Sequence, residues 1–416
     1  MDYENDPLNA ITLSDKYEKI LRSQVIDENH PGTILRDFEI LLDFIGPDGI
    51  EISNKNNFLS RESLASLNSQ LSHPLDIRHK RPRQRSYPNI NGLYLLLRAT
   101  GFAYPKGRGK KLLMILDNTL LQSWEKCNLT ERYFILFESW LIRGYPEIVG
   151  ESESFYQLNM MKWLNFFREI PDQGLNIRGN YQREQTINYS PGLYNVALLE
   201  LFGIISVCHC LPNEGKGWCI TSMHSTPFGD ALLHLMAIYY RKSSSYFRLD
   251  VDKIEESFGI LQPIIQPFFP ECHKNLVIRK PEFHDGVYVF KVSLGTVWRR
   301  IAIPGKSDFE ALCFSILDAF GFDYDHLYCF LVKNRHGFKR EIKHPAMDEP
   351  PYANKVRIGD LSAWPGMSLV FWYDFGDNWR FNLKLEHIEP PKSEIKEPIV
   401  FEKHGQPPDQ YSDFAY

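Results

Sequence analysis

Apolar residues first fall into a helical rhythm at Ile34, Leu35, Phe38, Leu41, Leu42 and Ile45, which predicts a helix ending at the turn-forming string Gly46-Pro47-Asp48-Gly49. A second helix is predicted from Arg61 to Leu71 with Ser60 as its cap. A third runs from Glu131 to Arg143, with Tyr133, Phe134, Phe137, Trp140 and Leu141 on one broad face. Residues before about Thr33 are polar and aperiodic, so they read as an arm. Past residue 270 the grammar changes. Pro263, Pro267, Pro270 and Pro281 punctuate a boundary, and Val287 to Leu294 alternates as a half-buried strand with Tyr288, Phe290, Val292 and Leu294 on one face.

The strand is followed by a predicted helix. Ser307-Asp308-Phe309-Glu310 reads as a capping box, Phe309, Leu312, Cys313, Ile316, Leu317 and Phe320 form the buried stripe, and Gly321 terminates it. Hairpins are expected through Asn334-Arg335-His336-Gly337 and through Asp374-Phe375-Gly376-Asp377-Asn378. After the second, Trp379, Phe381, Leu383 and Leu385 alternate with polar residues. From about Pro390 the chain is proline-rich and polar, as a tail would be.

Two stretches repeat each other at an offset of one hundred residues: Asn91-Gly92-Leu93-Tyr94 running on to Gly101-Phe102, and Pro191-Gly192-Leu193-Tyr194 running on to Phe202-Gly203. Each apolar helix-like run is followed by a β-like run, a tip (Gly107-Arg108-Gly109-Lys110; Gly215-Lys216-Gly217-Trp218), a returning run and another helix. Helix, two-stranded ribbon, helix is the order of a winged-helix unit. The helix before each ribbon is apolar on nearly every side, however, which predicts burial rather than insertion into a major groove.

The expected fold is therefore multidomain: a mainly α-helical N-terminal region with two winged-helix-like repeats, followed by an α+β domain. The expected segments are an arm over 1–32, a helical region with the first repeat over 33–145, linker helices and the second repeat over 146–270, the α+β domain over 283–389 and the tail over 390–416.

Charge changes this picture more than composition does. The formal net charge is −5, yet between His73 and Lys111 ten lysines and arginines face Asp76 alone. Arg78, Lys80, Arg81, Arg83 and Arg85 lie on a stretch held extended by Pro82 and Pro88, with Tyr87 beside them, and Arg108, Lys110 and Lys111 sit at the first tip. Clustered guanidinium groups suit phosphates at irregular spacing. The bland alternative is a solvated connector. No run reaches the roughly 18 apolar residues of a membrane helix and the acidic N-terminus lacks a secretion signal, so a cytoplasmic location without membrane contact is expected. Seven thinly spread cysteines suit a reducing compartment.

Tyr288-Val289-Phe290-Lys291-Val292, Val297-Trp298-Arg299-Arg300, Ala319-Phe320-Gly321-Phe322-Asp323-Tyr324-Asp325-His326-Leu327 and above all Tyr373-Asp374-Phe375-Gly376-Asp377-Asn378-Trp379 carry a resemblance. In order and spacing these motifs resemble the plasmid pRiA4b ORF-3-like family, over roughly residues 283 to 411 with the Gly405 to Tyr411 ending included. The resemblance implies a compact α+β domain found on plasmids and mobile elements and sometimes labelled resolvase-like. A recombinase needs a nucleophilic serine or tyrosine set among arginines, and that constellation is not assembled here. Where family members place further histidines after His326 and after the Trp379 equivalent, this chain has Tyr328 and Arg380-Phe381.

Asp323, Asp325, His326, Asp374 and Asp377 form the candidate set for a divalent metal, with His326, Asp374 and Asp377 as its catalytic members. The structural alternative is a tight hairpin in which Asp374 and Asp377 bond to backbone and Gly376 takes a positive φ. Cys208-His209-Cys210 with Cys219 and His224 has the wrong spacing for zinc. On a strand Cys208 and Cys210 share a face and His209 turns away, so buried thiols are expected.

The expected role is thus a non-catalytic protein that binds DNA or RNA backbone through Arg78, Lys80, Arg81, Arg83, Arg85, Arg108, Lys110 and Lys111, recruits a protein partner through its C-terminal domain, and needs no cofactor. The alternatives are a metal-dependent hydrolase or nuclease centred on the Asp374 hairpin, and a protein-interaction component with no nucleic-acid affinity. Convergence of the aspartates with His326 tests the first alternative, since a shared metal needs ligands at about 2 to 2.6 Å.

Overall fold

A computed structural model describes residues 12–53, 56–108, 111–151, 165–242, 258–277, 282–333, 339–361 and 363–411, with the side chains of 108, 240–242, 333 and 339 outside the description. The chain divides into two compact units, Met1–Pro105 with Leu112–Arg279, and Lys106–Lys111 with Lys280–Tyr416.

Helices α1 (Asp15–Ser23) and α2 (Ile34–Ile45), strand β1 (Ile50–Glu51), helices α3 (Arg61–Gln70) and α4 (Pro88–Ala99), and strands β2 (Ala103–Arg108) and β3 (Lys111–Leu116) follow in order, all in the first unit except Lys106–Lys111 of the β2–β3 ribbon. Next come helices α5 (Asn118–Glu125) and α6 (Leu129–Glu138), the latter passing into a π turn at Ser139–Arg143. Then follow β4 (Leu175–Asn176), α7 (Tyr181–Tyr189), α8 (Leu193–Leu201), β5 (Ile205–Cys210), β6 (Cys219–Ser225), α9 (Pro227–Lys242) and α10 (Gln262–Ile265).

The caps explain several boundaries. Ser60 accepts from the Ser63 N–H at 3.1 Å and starts α3, while Asn128 and Glu131 form a reciprocal box at α6. Gly46 ends α2 at φ +61°, and its N–H closes on Leu42. Within the stretch read as an arm, Asp15–Ser23 form a helix whose Tyr17 ring stacks on His234 of α9 at 4.4 Å. Pro88 does not hold the basic stretch extended: it occupies the first turn of α4, where its missing N–H costs nothing.

The duplication has a physical counterpart. Each copy builds a three-stranded sheet in which the short strand joins the ribbon's returning arm, in the orders β1-β3-β2 and β4-β6-β5. Helices α4 and α8, the equivalent apolar helices, meet each other. A Cβ on Gly92 would stand 2.8 Å from the Leu198 side chain and 3.2 Å from the Tyr194 carbonyl, so glycine sets the approach. Every residue of α4 is buried. Each copy also buries a phenylalanine fully beside the glycine that ends its apolar helix, Phe102 after Gly101 and Phe202 before Gly203, in aromatic clusters with Trp124 and Trp140 respectively.

The second unit is built on a seven-stranded antiparallel sheet. Its strands are β7 (Val287–Leu294), β8 (Val297–Pro304), β9 (Tyr328–Lys333), β10 (Lys339–Lys343), β11 (Ser368–Tyr373), β12 (Trp379–Glu389) and β13 (Ile399–His404), in the order β10-β9-β11-β12-β7-β8-β13. Helix α11 (Phe309–Phe320) lies between β8 and β9 in the chain, and its stripe joins the sheet's inner face in one core. Its cap is Asp308, accepting from Ala311 N–H at 2.9 Å, rather than the expected Ser307, and Gly321 ends it at φ +72°. Strand β7 is buried on both faces at its start, because Val287 and Val289 pack with Ala302 and Ile395. The stretch read as a tail therefore supplies a strand and a cover. The turn expected through Asn334 to Gly337 lies outside the described residues.

Candidate functional site

The cationic stretch is exposed but not loose. The Leu75 backbone is held by both ends of the Asn68 amide at 3.0 and 3.1 Å. Arg78 donates its N–H to the Lys216 carbonyl at 2.9 Å and accepts from Gly215 at 3.0 Å, which pins it to the tip of the second ribbon. Gln84, itself buried, accepts from Leu59 and donates to Asn91. Along this stretch Arg78, Lys80, Arg81, Arg83 and Arg85 are all exposed.

Among the described residues Arg78, Lys80, Arg81 and Arg83 have no carboxylate partner, whereas Arg85 lies 3.5 Å from Glu151. Arg98, part of the local charge in the sequence, is buried with its guanidinium donating to the Tyr94 hydroxyl at 3.2 Å, so it leaves the field. Lys111 is exposed, and the Arg108 side chain and Lys110 lie outside the described residues.

In the second unit the two acidic loops meet around His326. Its Nε2 stands 3.2 Å from the Tyr411 hydroxyl, 3.4 Å from Asp374 Oδ2 and 3.6 Å from Asp325 Oδ1. Tyr411 gives its own proton to Asp325 Oδ2 at 2.7 Å and accepts from Gln410 Nε2 at 2.9 Å. Tyr373 completes the cluster, donating to the Asp323 carbonyl at 2.5 Å and accepting from the His326 N–H at 3.3 Å. Burial pushes its phenol up to about 12.

Asp323 and Asp377 make their hydrogen bonds to the cluster through backbone. The Asp323 N–H donates to Gln410 Oε1 at 2.6 Å, and the Asp377 N–H reaches Asp374 Oδ1 at 3.3 Å. The Asp374 carboxylate serves two ends: Oδ1 closes the hairpin onto Gly376 and Asp377, and Oδ2 faces the imidazole. Positive φ falls on Asp374 (+50°) and Asn378 (+59°), not on Gly376 as the sequence suggested. Glycine serves there by space instead, since a Cβ would sit 3.2 Å from the Asp374 carboxylate. Among the described residues no three His, Cys, Asp or Glu side chains are placed to hold a metal ion. Tyr373, Gln410 and Tyr411 escaped the sequence reasoning. Their only signal was adjacency to the two motifs at Asp374 and the chain's closing segment.

The Tyr411 hydroxyl, with help from His326, holds the Asp325 carboxyl below its ordinary value of 3.8. A depressed carboxylate stabilises the fold above its unfolded pKa, and that contribution is lost as pH falls through the lower folded value. Tyr411→Phe should therefore leave acid unfolding of the second unit less steep below pH ~4. An unchanged acid limb, followed by circular dichroism, would show that the bond contributes nothing.

The cysteine expectation is corrected. Cys210 and Cys219 form a disulfide across the second ribbon, and Cys208 is exposed rather than buried. A register shift between Cys208 and His209 breaks the simple alternation assumed for this strand. His209 instead faces Glu200 through Nε2 at 2.8 Å, which raises its pKa, and accepts the Trp218 indole N–H at Nδ1 at 3.0 Å.

Residues 287–414 match the family described as plasmid pRiA4b ORF-3-like protein. No curated protein matches the chain. A solved structure of a protein of unknown function from Methanosarcina mazei Go1 is 28% identical, covering 30% of this chain and 72% of that one, with a TM-score of 0.26. No described helix is long and apolar enough to cross a membrane. Over its last third, then, the chain is similar to the plasmid pRiA4b ORF-3-like family, in the part that holds the His326 cluster.

Proposed function

We propose that the protein is a non-catalytic nucleic-acid-binding protein that grips phosphate backbone through its cationic segment, with an adaptor role for the C-terminal unit toward a protein partner. The observation that carries this is the row Arg78, Lys80, Arg81 and Arg83: four exposed cations without carboxylate partners among the described residues, on backbone anchored at Leu75, Arg78 and Gln84. A solvated connector has no need of such anchoring, whereas a preorganised row loses less freedom on binding.

In this reading the two N-terminal modules are winged helices turned to scaffolding. The element order and the β1-β3-β2 and β4-β6-β5 sheets support it, and the mutual burial of α4 and α8 removes the helices that would read bases. Binding without strong sequence preference follows. An association with plasmids or other mobile elements belongs to the same proposal. The test is fluorescence-anisotropy titration against DNA and RNA across a salt series, with Arg78, Lys80, Arg81, Arg83 and Arg85 replaced by alanine in parallel. Loss of binding in the variant is expected, and equal binding would sink the proposal.

The meeting of His326 with Asp325 and Asp374 favours a second reading, a hydrolase in which His326 and its two carboxylates act on a bound water. Asp377 has no part in it. If it holds, cleavage of a labelled DNA strand supplied with magnesium or manganese should fall by roughly 10²–10⁴-fold in His326→Ala. Absence of any cleavage by the parent protein would dismiss it.

A further inference from the structure

The tip that pins Arg78 also walls a cavity of about 390 Å³ in the first unit, within the roughly 300–1,000 Å³ of ordinary small-molecule sites. Its floor is apolar, formed by the buried Ile177, Ile187 and Ile220, and Trp218 lines one side. Its rim carries Arg178 and Lys216, both exposed. Glu184 also stands on the rim, but its carboxylate accepts the Gly179 N–H at 3.2 Å. Nothing in the Arg78–Arg85 reading or in the His326 cluster uses this cavity.

We infer that the cavity receives one unpaired base of a nucleic-acid strand whose phosphates run along Arg78–Arg83. The inference rests on the backbone-binding proposal and adds the substrate class, single-stranded nucleic acid. A heterocycle needs apolar surface for its faces and an aromatic ring to stack on, and the Ile177–Ile187–Ile220 floor with Trp218 offers both.

Trp218 is held ready for this. Its indole N–H is taken by His209, whose other nitrogen is fixed by Glu200, and the neighbouring Cys219 is cross-linked to Cys210. The charge is complementary as well. Lys216 at the rim adjoins the row of unpartnered cations, because its carbonyl is the acceptor for the Arg78 N–H; His79, between Arg78 and Lys80, lines the cavity itself, and Arg178 adds a second rim cation. A strand following the row passes the cavity mouth, and turning a base inward costs little when it has no pairing partner to leave.

The experiment compares a short labelled oligothymidylate strand with a duplex of equal length, titrated against the full chain, Trp218→Leu, Asn188→Trp and the Arg78–Arg85 alanine variant. Asn188 stands exposed on the rim, so tryptophan there blocks the mouth without touching the floor. The parent should prefer the single strand. Trp218→Leu and Asn188→Trp should each weaken single-strand binding by roughly 5- to 150-fold, the worth of one stacked base, and leave duplex binding unchanged.

Unchanged single-strand affinity in both variants, or equal losses on strand and duplex, overturns the base pocket while the cationic segment keeps its role. Equal binding by the Arg78–Arg85 variant and the parent overturns the reading beneath it.

Discussion

Replacing Phe202 with alanine should lower the stability of the N-terminal unit by ~3–5 kcal/mol, the cost of removing a large aromatic side chain from a core that cannot close the gap. Phe202 is fully buried. Its ring stacks on Trp140 at 5.4 Å and meets Tyr133 and Phe137 edge-on at 5.3 and 5.5 Å. Its carbonyl also accepts the Tyr133 hydroxyl at 2.7 Å, so collapse into the cavity would strand a buried phenol. Against a total of about 5–15 kcal/mol for a typical domain, the loss brings the unit close to unfolding. Denaturant unfolding followed by tryptophan fluorescence reads it directly. A loss below ~1 kcal/mol would mean the aromatic cluster is not the structural centre of the second module. Phe102→Ala should behave alike, since Phe102 is also fully buried and meets Trp124 edge-on at 5.2 Å.

The second large effect is electrostatic. Each phosphate neutralised by a bound cation adds about 0.9 to the slope of log affinity against log salt on duplex DNA, and about 0.7 on a single strand. Removing Arg78, Lys80, Arg81 and Arg83 should therefore flatten the slope by roughly 3–4 on duplex, and affinity at low salt should fall by orders of magnitude. Arg85 should matter less by itself, because Glu151 at 3.5 Å already meets part of its charge. Single substitutions measured over about 50 to 200 mM salt would show whether the four act as a row. A slope that stays the same in the combined variant would assign the charge to solubility alone.

Much of the fold was readable from residues near one another in the chain. The boundaries of α2 and α3 followed from periodicity, a serine cap and a glycine stop, all of which act within one or two turns. The one-hundred-residue repeat was visible as Gly-Leu-Tyr and Gly-Phe against Gly-Leu-Tyr and Phe-Gly, and it marked two similar modules. The apolar circumference of α4 predicted burial, which the structure bears out. Errors came where a local signal had two uses. Pro88 could hold an extended chain or open a helix, and Gly376 could supply a positive φ or merely room.

The sequence by itself determined helices such as α2, α3 and α11 and the strand at Val287–Leu294, that two N-terminal stretches resemble each other, and which residues carry charge, because these depend on neighbours in the chain and on side-chain chemistry. Only the tertiary structure decided what those residues meet. It packed α4 on α8 through Gly92 and joined Cys210 to Cys219 across a ribbon. It brought His326 to Asp374 from a separate loop, with Tyr411 from the chain's end. It also set Lys216 beside Arg78, more than a hundred residues away, and so made one surface of two segments. Pairings of that kind have no local signature, since closing a long loop costs nearly the same whichever partners it joins and only the packed core selects among them.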